Sequence, residues 1–135
     1  MPRLRATVEI RDVSADYTVA AVWGGDYAPR GASRPPLWFA DPRLAALGHR
    51  ELVTIRSDWA LGGEDATSAT QDDYHAHRIA QGVPEGGKDY TFGDAFPHEA
   101  LFDQLNGVSF TKGCYVGQEV VSRMQNRGTA RKRVV

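Results

Sequence analysis

The residues most able to do chemistry lie together in the stretch Lys112-Gly113-Cys114-Tyr115-Val116-Gly117-Gln118-Glu119. Cys114 is the single cysteine of the chain. It has no partner for an internal disulfide, which suits a reducing, intracellular setting. The flanking glycines permit tight turns and close approach of a ligand to the backbone. A helix is expected to start a few residues later, and its unpaired N–H groups and dipole favour an anion. Lys112 adds a positive charge. Both influences favour the thiolate, which is the nucleophilic and metal-binding form of cysteine. The opposing reading makes Cys114 a small buried hydrophobe, because free cysteine is among the most buried residue types. Local chemistry leaves the two readings even.

The longer stretch Leu105-Asn-Gly-Val-Ser-Phe-Thr-Lys-Gly-Cys-Tyr-Val-Gly-Gln-Glu119 resembles the signature of the YgfZ-like folate-binding, iron–sulfur-assembly family. That family is related to the T-protein, the aminomethyltransferase of the glycine cleavage system. Further matches keep their order: Arg78-Ile79 and Gly82-Val83-Pro84-Glu85 upstream, then Arg123, Gly128 and Arg131-Lys132-Arg133 downstream. The likeness is dense from about Tyr74 onward and faint before it.

The resemblance implies a tetrahydrofolate-binding scaffold that supports assembly or repair of four-iron four-sulfur clusters in client enzymes. The functional cysteine of the family falls on Cys114. Lys112, Tyr115, Gln118, Glu119 and Arg123 match other motif positions and are expected to shape the folate pocket around it. Expected partners are iron–sulfur client enzymes, assembly proteins and the folate itself. The setting is the cytoplasm if the source is bacterial, and the mitochondrial matrix if it is eukaryotic.

The same likeness gives reasons against a transferase. T-proteins carry a catalytic aspartate that has no counterpart here. Their Arg-Leu-Glu-Ala-Gly segment aligns with Arg78-Ile79-Ala80-Gln81-Gly82, and Ala80 stands where the folate-contacting glutamate would be. The alternatives to an assembly factor are therefore an aminomethyltransferase of the T-protein kind and a non-catalytic interaction module with Cys114 buried.

The elements that must hold this stretch are read from periodicity and punctuation. Leu4 to Ile10 alternates apolar and polar residues, as a half-buried strand does, and Tyr17–Trp23 is a second strand in a hairpin with it. Gly24–Pro36 is rich in glycine and proline and reads as a loop. Leu37–Ala40 and Glu51–Ile55 are two more strands, with a helical turn over Pro42–Leu47 ended by Gly48. Leu61–Ala69 is a linker. Thr70-Gln-Asp-Asp73 offers a variant capping box for a helix to about Gln81, with Gly82 as C-terminal cap and Pro84 beyond it. A short helix is expected over His98–Leu105, and an extended piece over Val108–Phe110. A helix over Gln118–Gln125, ended by Gly128, puts Val120, Val121 and Met124 on one face. Thr129–Val135 begins a strand.

The fold class is thus α+β. Residues 1–60 form an antiparallel sheet unit of the ferredoxin-like, T-protein middle-domain type, and residues 61–126 form a helical part carrying the motif. Residues 127–135 start a barrel that is otherwise missing. Family members are longer, with three parts around a central pocket. An incomplete core is expected to make the chain self-associate.

Composition excludes several classes. The chain has 135 residues, 41% apolar and 24% charged, with a net charge of −1; that is a globular balance without a field to recruit nucleic acid or an anionic membrane. No apolar run approaches a membrane span. His75 and His77, beside Asp72 and Asp73, lie two apart on a helix and point in nearly opposite directions, so they read as surface histidines and not as a metal site. One cysteine cannot hold a cluster alone. The basic group Arg127, Arg131, Lys132 and Arg133 reads as a solvated strand edge. Trp23, Trp38 and Trp59 read as core or interface, and Asp41-Pro42-Arg43 as a turn.

Overall fold

The computed structural model describes residues 8–25, 37–55 and 66–128. Three strands make one antiparallel sheet: β1 (Tyr17–Val22), β2 (Leu37–Ala40) and β3 (His49–Thr54), in the order β1-β3-β2. Two helices follow, α1 (Gln71–Ala80) and α2 (Gln118–Arg127). This is a small α+β architecture, as the sequence pattern predicts. The expected start of a strand at Val8–Ile10 is a difference. Those residues are not in a strand, and Val8 and Ile10 are exposed. Alternation supplies a face, but a strand also needs a partner edge, and β1 pairs with β3 instead. The readings of Leu4–Thr7, of Trp59 and of Thr129–Val135 lie outside the described residues, as does most of the loop over residues 24–36 and of the linker over 61–69.

Central β3 holds the sheet together. Its register sets Thr54 against Tyr17 and His49 against Val22 on one side, and Leu52 against Leu37 on the other. Alternation places Glu51 and Val53 on one face, both buried, and Arg50 and Leu52 on the other. The β2–β3 connection closes with the Asp41 amide donating to the Gly48 carbonyl at 2.8 Å. Within it a 3₁₀ turn over Ala45–Leu47 drives Leu47 to full burial. Gly48 has φ +71°, and a Cβ there would lie 2.0 Å from the Val22 carbonyl oxygen, so only glycine fits.

α1 forms where its caps predict. Thr70 Oγ1 accepts from the Asp73 amide at 3.2 Å while Asp73 Oδ2 accepts from the Thr70 amide at 2.8 Å, completing the capping box. At the other end the Gly82 amide donates to the Ile79 carbonyl and the Val83 amide to the Arg78 carbonyl. With φ +67° at Gly82, this is a Schellman ending, and it buries Val83.

Polar contacts dock α1 on the sheet. Buried Asp41 accepts from Arg43 Nη2 at 2.8 Å and from Arg50 Nε at 3.0 Å. Both guanidinium groups also donate to the Tyr74 hydroxyl of α1. Burial raises the Asp41 pKa, but the arginine hydrogen bonds outweigh it and bring the carboxyl down to about 2. Trp23 packs edge-on to Tyr74 and stacks on His77, each at 5.5 Å. The Asp41-Pro42-Arg43 segment is thus more than the turn the sequence suggests. Among the described residues the buried apolar side chains are Leu47, Val53, Val83, Ala100 and Val121.

The expected helix over His98–Leu105 is not there; the segment runs as successive turns. Leu101 has φ +60°, a left-handed value that a right-handed helix cannot pass through. Val108–Phe110, expected to be extended, belongs to no strand of the sheet. These turns are held to the β2–β3 connection by Asn106 Nδ2, which donates to the Pro42 carbonyl at 2.8 Å.

Candidate functional site

The cysteine turn is built by Ser109, Tyr115 and Gln118. The Lys112 amide donates to Ser109 Oγ at 3.2 Å, and the Tyr115 hydroxyl donates to the Ser109 carbonyl at 3.2 Å. Together they fold residues 109–115 back on themselves. Gln118 then fixes the exit: its amide donates to the Tyr115 carbonyl at 3.2 Å, and its side-chain oxygen accepts from the Tyr115 amide at 3.4 Å. Gly117, at φ +85°, is the N-cap of α2 and gives it no side-chain cap. A left-handed residue at that corner is what turns the chain from the cysteine into the helix.

Cys114 is a free and exposed cysteine. The buried-hydrophobe reading therefore fails on exposure. Cys114 lines an open cleft of about 880 Å³, together with Tyr115, Gln118, Glu119 and Arg123 among others. Of the residues expected to surround the cysteine, these four join it. Lys112 does not line the cleft; its ammonium lies 4.5 Å from the centroid of the Tyr115 ring, a cation–π contact that holds the charge beside the turn.

Two lining residues, Ser122 and Asn126, are absent from the sequence reading. Asn126 Nδ2 donates to the Ser122 carbonyl at 3.0 Å and its hydroxyl at 3.3 Å. The signal that could have found them is spacing. Glu119, Ser122, Arg123 and Asn126 follow at three- and four-residue steps, which is one face of a helix. The inward face is narrower than the expected Val120–Val121–Met124 stripe: Val121 is 4% exposed but Val120 is 42% exposed and lines the cleft. Among the described residues Arg123 forms no ion pair, leaving a cationic fork available in the cleft.

The Arg78 motif does a different job. Arg78 is 2% exposed. It donates to the Val83 carbonyl at 3.0 Å, to His75 Nδ1 at 3.1 Å and to Asp89, and it pairs with Glu85 Oε2 at 3.0 Å. The hydrogen bond from Arg78, with that from the Glu85 amide, holds the Asp89 pKa below the usual carboxylate range. This network folds the 83–90 turns against α1. The two histidines point apart as expected, but neither is a free surface ring. His75 meets Arg78 and Glu85, whereas His77 Nε2 lies 2.8 Å from the Ala46 carbonyl. Among the described residues no cluster of three or more His, Cys, Asp and Glu could hold a metal ion. Trp38 stacks on His49 at 4.8 Å, in the sheet. Ala80 is exposed on α1. The side chains of Arg127, Arg131, Lys132 and Arg133 lie outside the described residues.

Comparison with known proteins gives the chain its relatives. It is 35% identical to the mitochondrial iron–sulfur cluster assembly factor IBA57 homolog of Mycosarcoma maydis over 98% of the chain and 32% of the relative. It is 34% identical to the same-named protein of Dictyostelium discoideum, over 98% of the chain and 35% of the relative. Identity to the mitochondrial iron–sulfur cluster assembly factor IBA57 of Homo sapiens is 45%, over 70% of the chain and 26% of the relative. The homologues of this chain are thus proteins named as iron–sulfur cluster assembly factors, and it spans about a third of the length of the first two. No family model matches. Among the described residues no helix is long and apolar enough to cross a membrane.

Proposed function

We propose that this chain is the cysteine-bearing segment of a YgfZ-like, folate-binding protein that helps assemble or repair four-iron four-sulfur clusters in client enzymes. The observation that carries the reading is that Cys114, the motif's cysteine, is exposed and lines a cleft with Tyr115 and Arg123. Its homologues' names supply the process. In this reading Cys114 acts as a thiolate, the form that ligates iron, and the cluster is cargo, shared with partner proteins. Lys112 keeps its positive charge at the cysteine turn through its place over the Tyr115 ring. The Tyr115–Ser109 hydrogen bond fixes the direction in which the sulfur is presented. The ferredoxin-like arrangement of a middle domain, and a barrel following it, belong to the same reading.

The residues lining the cleft support a folate as its ligand. Its volume falls in the range of small-molecule sites, Arg123 offers a fork for a carboxylate, and Gln118, Ser122 and Asn126 offer hydrogen bonds. Bound there, tetrahydrofolate would lie against the thiol. Aminomethyl transfer is not proposed, because Ala80 stands where the transferase's glutamate belongs. The test is alkylation of Cys114 with and without tetrahydrofolate. The reading expects saturating folate to slow the reaction several-fold. A rate indifferent to folate, in a whole protein carrying this segment, contradicts the folate site.

A further inference from the structure

Asp41, Arg43, Arg50 and Tyr74 meet where α1 docks on the sheet, and their donors outnumber their acceptors. A carboxylate has roughly four acceptor sites. Asp41 Oδ1 accepts from the Arg43 amide at 3.1 Å and from Arg43 Nε at 3.0 Å, and Oδ2 accepts from Arg43 Nη2 at 2.8 Å and from Arg50 Nε at 3.0 Å. The Asp41 carboxylate is therefore full. The Tyr74 oxygen accepts from Nη2 of Arg43 and from Nη2 of Arg50, which fills its lone pairs as well. Nη1 of each guanidinium and the Tyr74 O–H itself are left to donate elsewhere. Two guanidinium cations also share the single Asp41 carboxylate, so the group carries an excess of positive charge.

These donors are held in place and can be reached. Each guanidinium is tied through Nε to Asp41 and through Nη2 to the Tyr74 oxygen, which turns its Nη1–Nη2 end towards that oxygen. The Arg50 guanidinium lies 4.7 Å from the centroid of the Tyr74 ring, and Trp23 packs edge-on against the same ring. Asp41 is buried, whereas the side chains of Arg43 and Arg50 are 34% and 20% exposed.

We propose that this joint is an oxyanion site. A carboxylate or phosphate group of a ligand, seated beside the Tyr74 hydroxyl, accepts from Nη1 of Arg43, from Nη1 of Arg50 and from the hydroxyl. Planar guanidinium groups match the geometry of such oxyanions, and the incoming charge offsets the excess cation. None of these residues lines the cleft of Cys114, so the site is separate from it and does not rest on the folate or cluster reading.

Titration of the chain with sodium phosphate and with sodium acetate, at constant ionic strength set by sodium chloride, tests it by NMR of the arginine Nε–H and backbone amide signals. The Arg43 and Arg50 signals are expected to move and to saturate with at least one of the two anions, at half-saturation below about 10 mM. The tighter of the two tells a phosphate-bearing ligand from a carboxylate-bearing one. Arg43→Lys and Arg50→Lys keep the charge but not the fork, and each is expected to weaken binding about fivefold or more. The amide spectrum of each variant checks that it is folded, and either one that folds suffices. Arg123→Gln is expected to leave binding unchanged. Shifts that do not saturate with either anion overturn the proposal, as does undiminished binding in a folded lysine variant. Loss of binding in Arg123→Gln also overturns it, by placing the anion in the cysteine cleft.

Discussion

The Tyr115 hydroxyl donates to the Ser109 carbonyl at 3.2 Å, and this bond helps close the turn that presents Cys114. Tyr115→Phe keeps the ring under Lys112 but removes the donor. It is expected to cost about 1 kcal/mol locally, seen as faster amide exchange across residues 109–116. Tyr115→Leu also removes the cation–π contact, and is expected to loosen the turn further, by about 0.5–1 kcal/mol.

Asp41 anchors two arginines. Its carboxyl is depressed to about 2, so its contribution is fully present above the ordinary aspartate range near about 4 and is lost as pH falls towards about 2. Asp41→Asn leaves Arg43 and Arg50 without their shared anion. It is expected to destabilise the chain by about 2–4 kcal/mol at neutral pH, and to flatten the acid limb of stability. Urea unfolding at neutral pH and near pH 3 checks both the loss and its shrinkage by roughly half in acid.

Glu51 runs the other way. Burial raises its carboxyl above the usual range, so the folded state prefers the proton, and stability falls as pH rises through the ordinary glutamate range and above. Glu51→Gln removes the charge and keeps the shape. Thermal unfolding at neutral pH is expected to show the variant more stable, by about 1 kcal/mol; a destabilised variant would mean that the carboxylate itself is needed.

Arg78 is buried and spends its fork on one carbonyl, one histidine and two carboxylates. Arg78→Lys keeps the charge but cannot make those bonds together. The expected cost is about 2–3 kcal/mol, measured by urea unfolding, with fraying of α1 at Ala80 and of the turns at 83–90 in hydrogen exchange.

What was legible in the sequence was local. Thr70 and Asp73 declare a capping box, and Gly82 with Pro84 declares the end of α1, because each acts on backbone groups a few residues away. Leu37–Ala40 was legible for the same reason, as a short apolar strand between turn signals. The pairing of β1 with β3 was not: both its partners lie in the strand pattern, but nothing local says which edge meets which. The Asp41–Arg50–Tyr74 cluster joins three segments and left no trace in any one of them. The positive φ of Leu101, which breaks the expected helix, likewise has no signal in the local residue types. At the site, the motif marked Cys114, Tyr115, Gln118, Glu119 and Arg123, which line one cleft, and Lys112, which does not. Ser122 and Asn126 fall on the same helical face and went unmarked because their types are common on any exposed helix.

The unpaired apolar surface carries its own expectation. Phe92 is 76% exposed and Ile10 92%, so the isolated chain is expected to self-associate. Sedimentation velocity over a concentration series reads this directly, and a monomer throughout would refute it.

The central claim is that Cys114 serves iron–sulfur cluster assembly. The most direct measurement uses a chimera in which this chain replaces the matching segment of the Dictyostelium discoideum relative, expressed in cells lacking that relative. The account predicts that the chimera restores the activity of four-iron four-sulfur enzymes, and that Cys114→Ser, at equal abundance, leaves them at the level of cells without it. Full restoration by the serine variant would contradict the account.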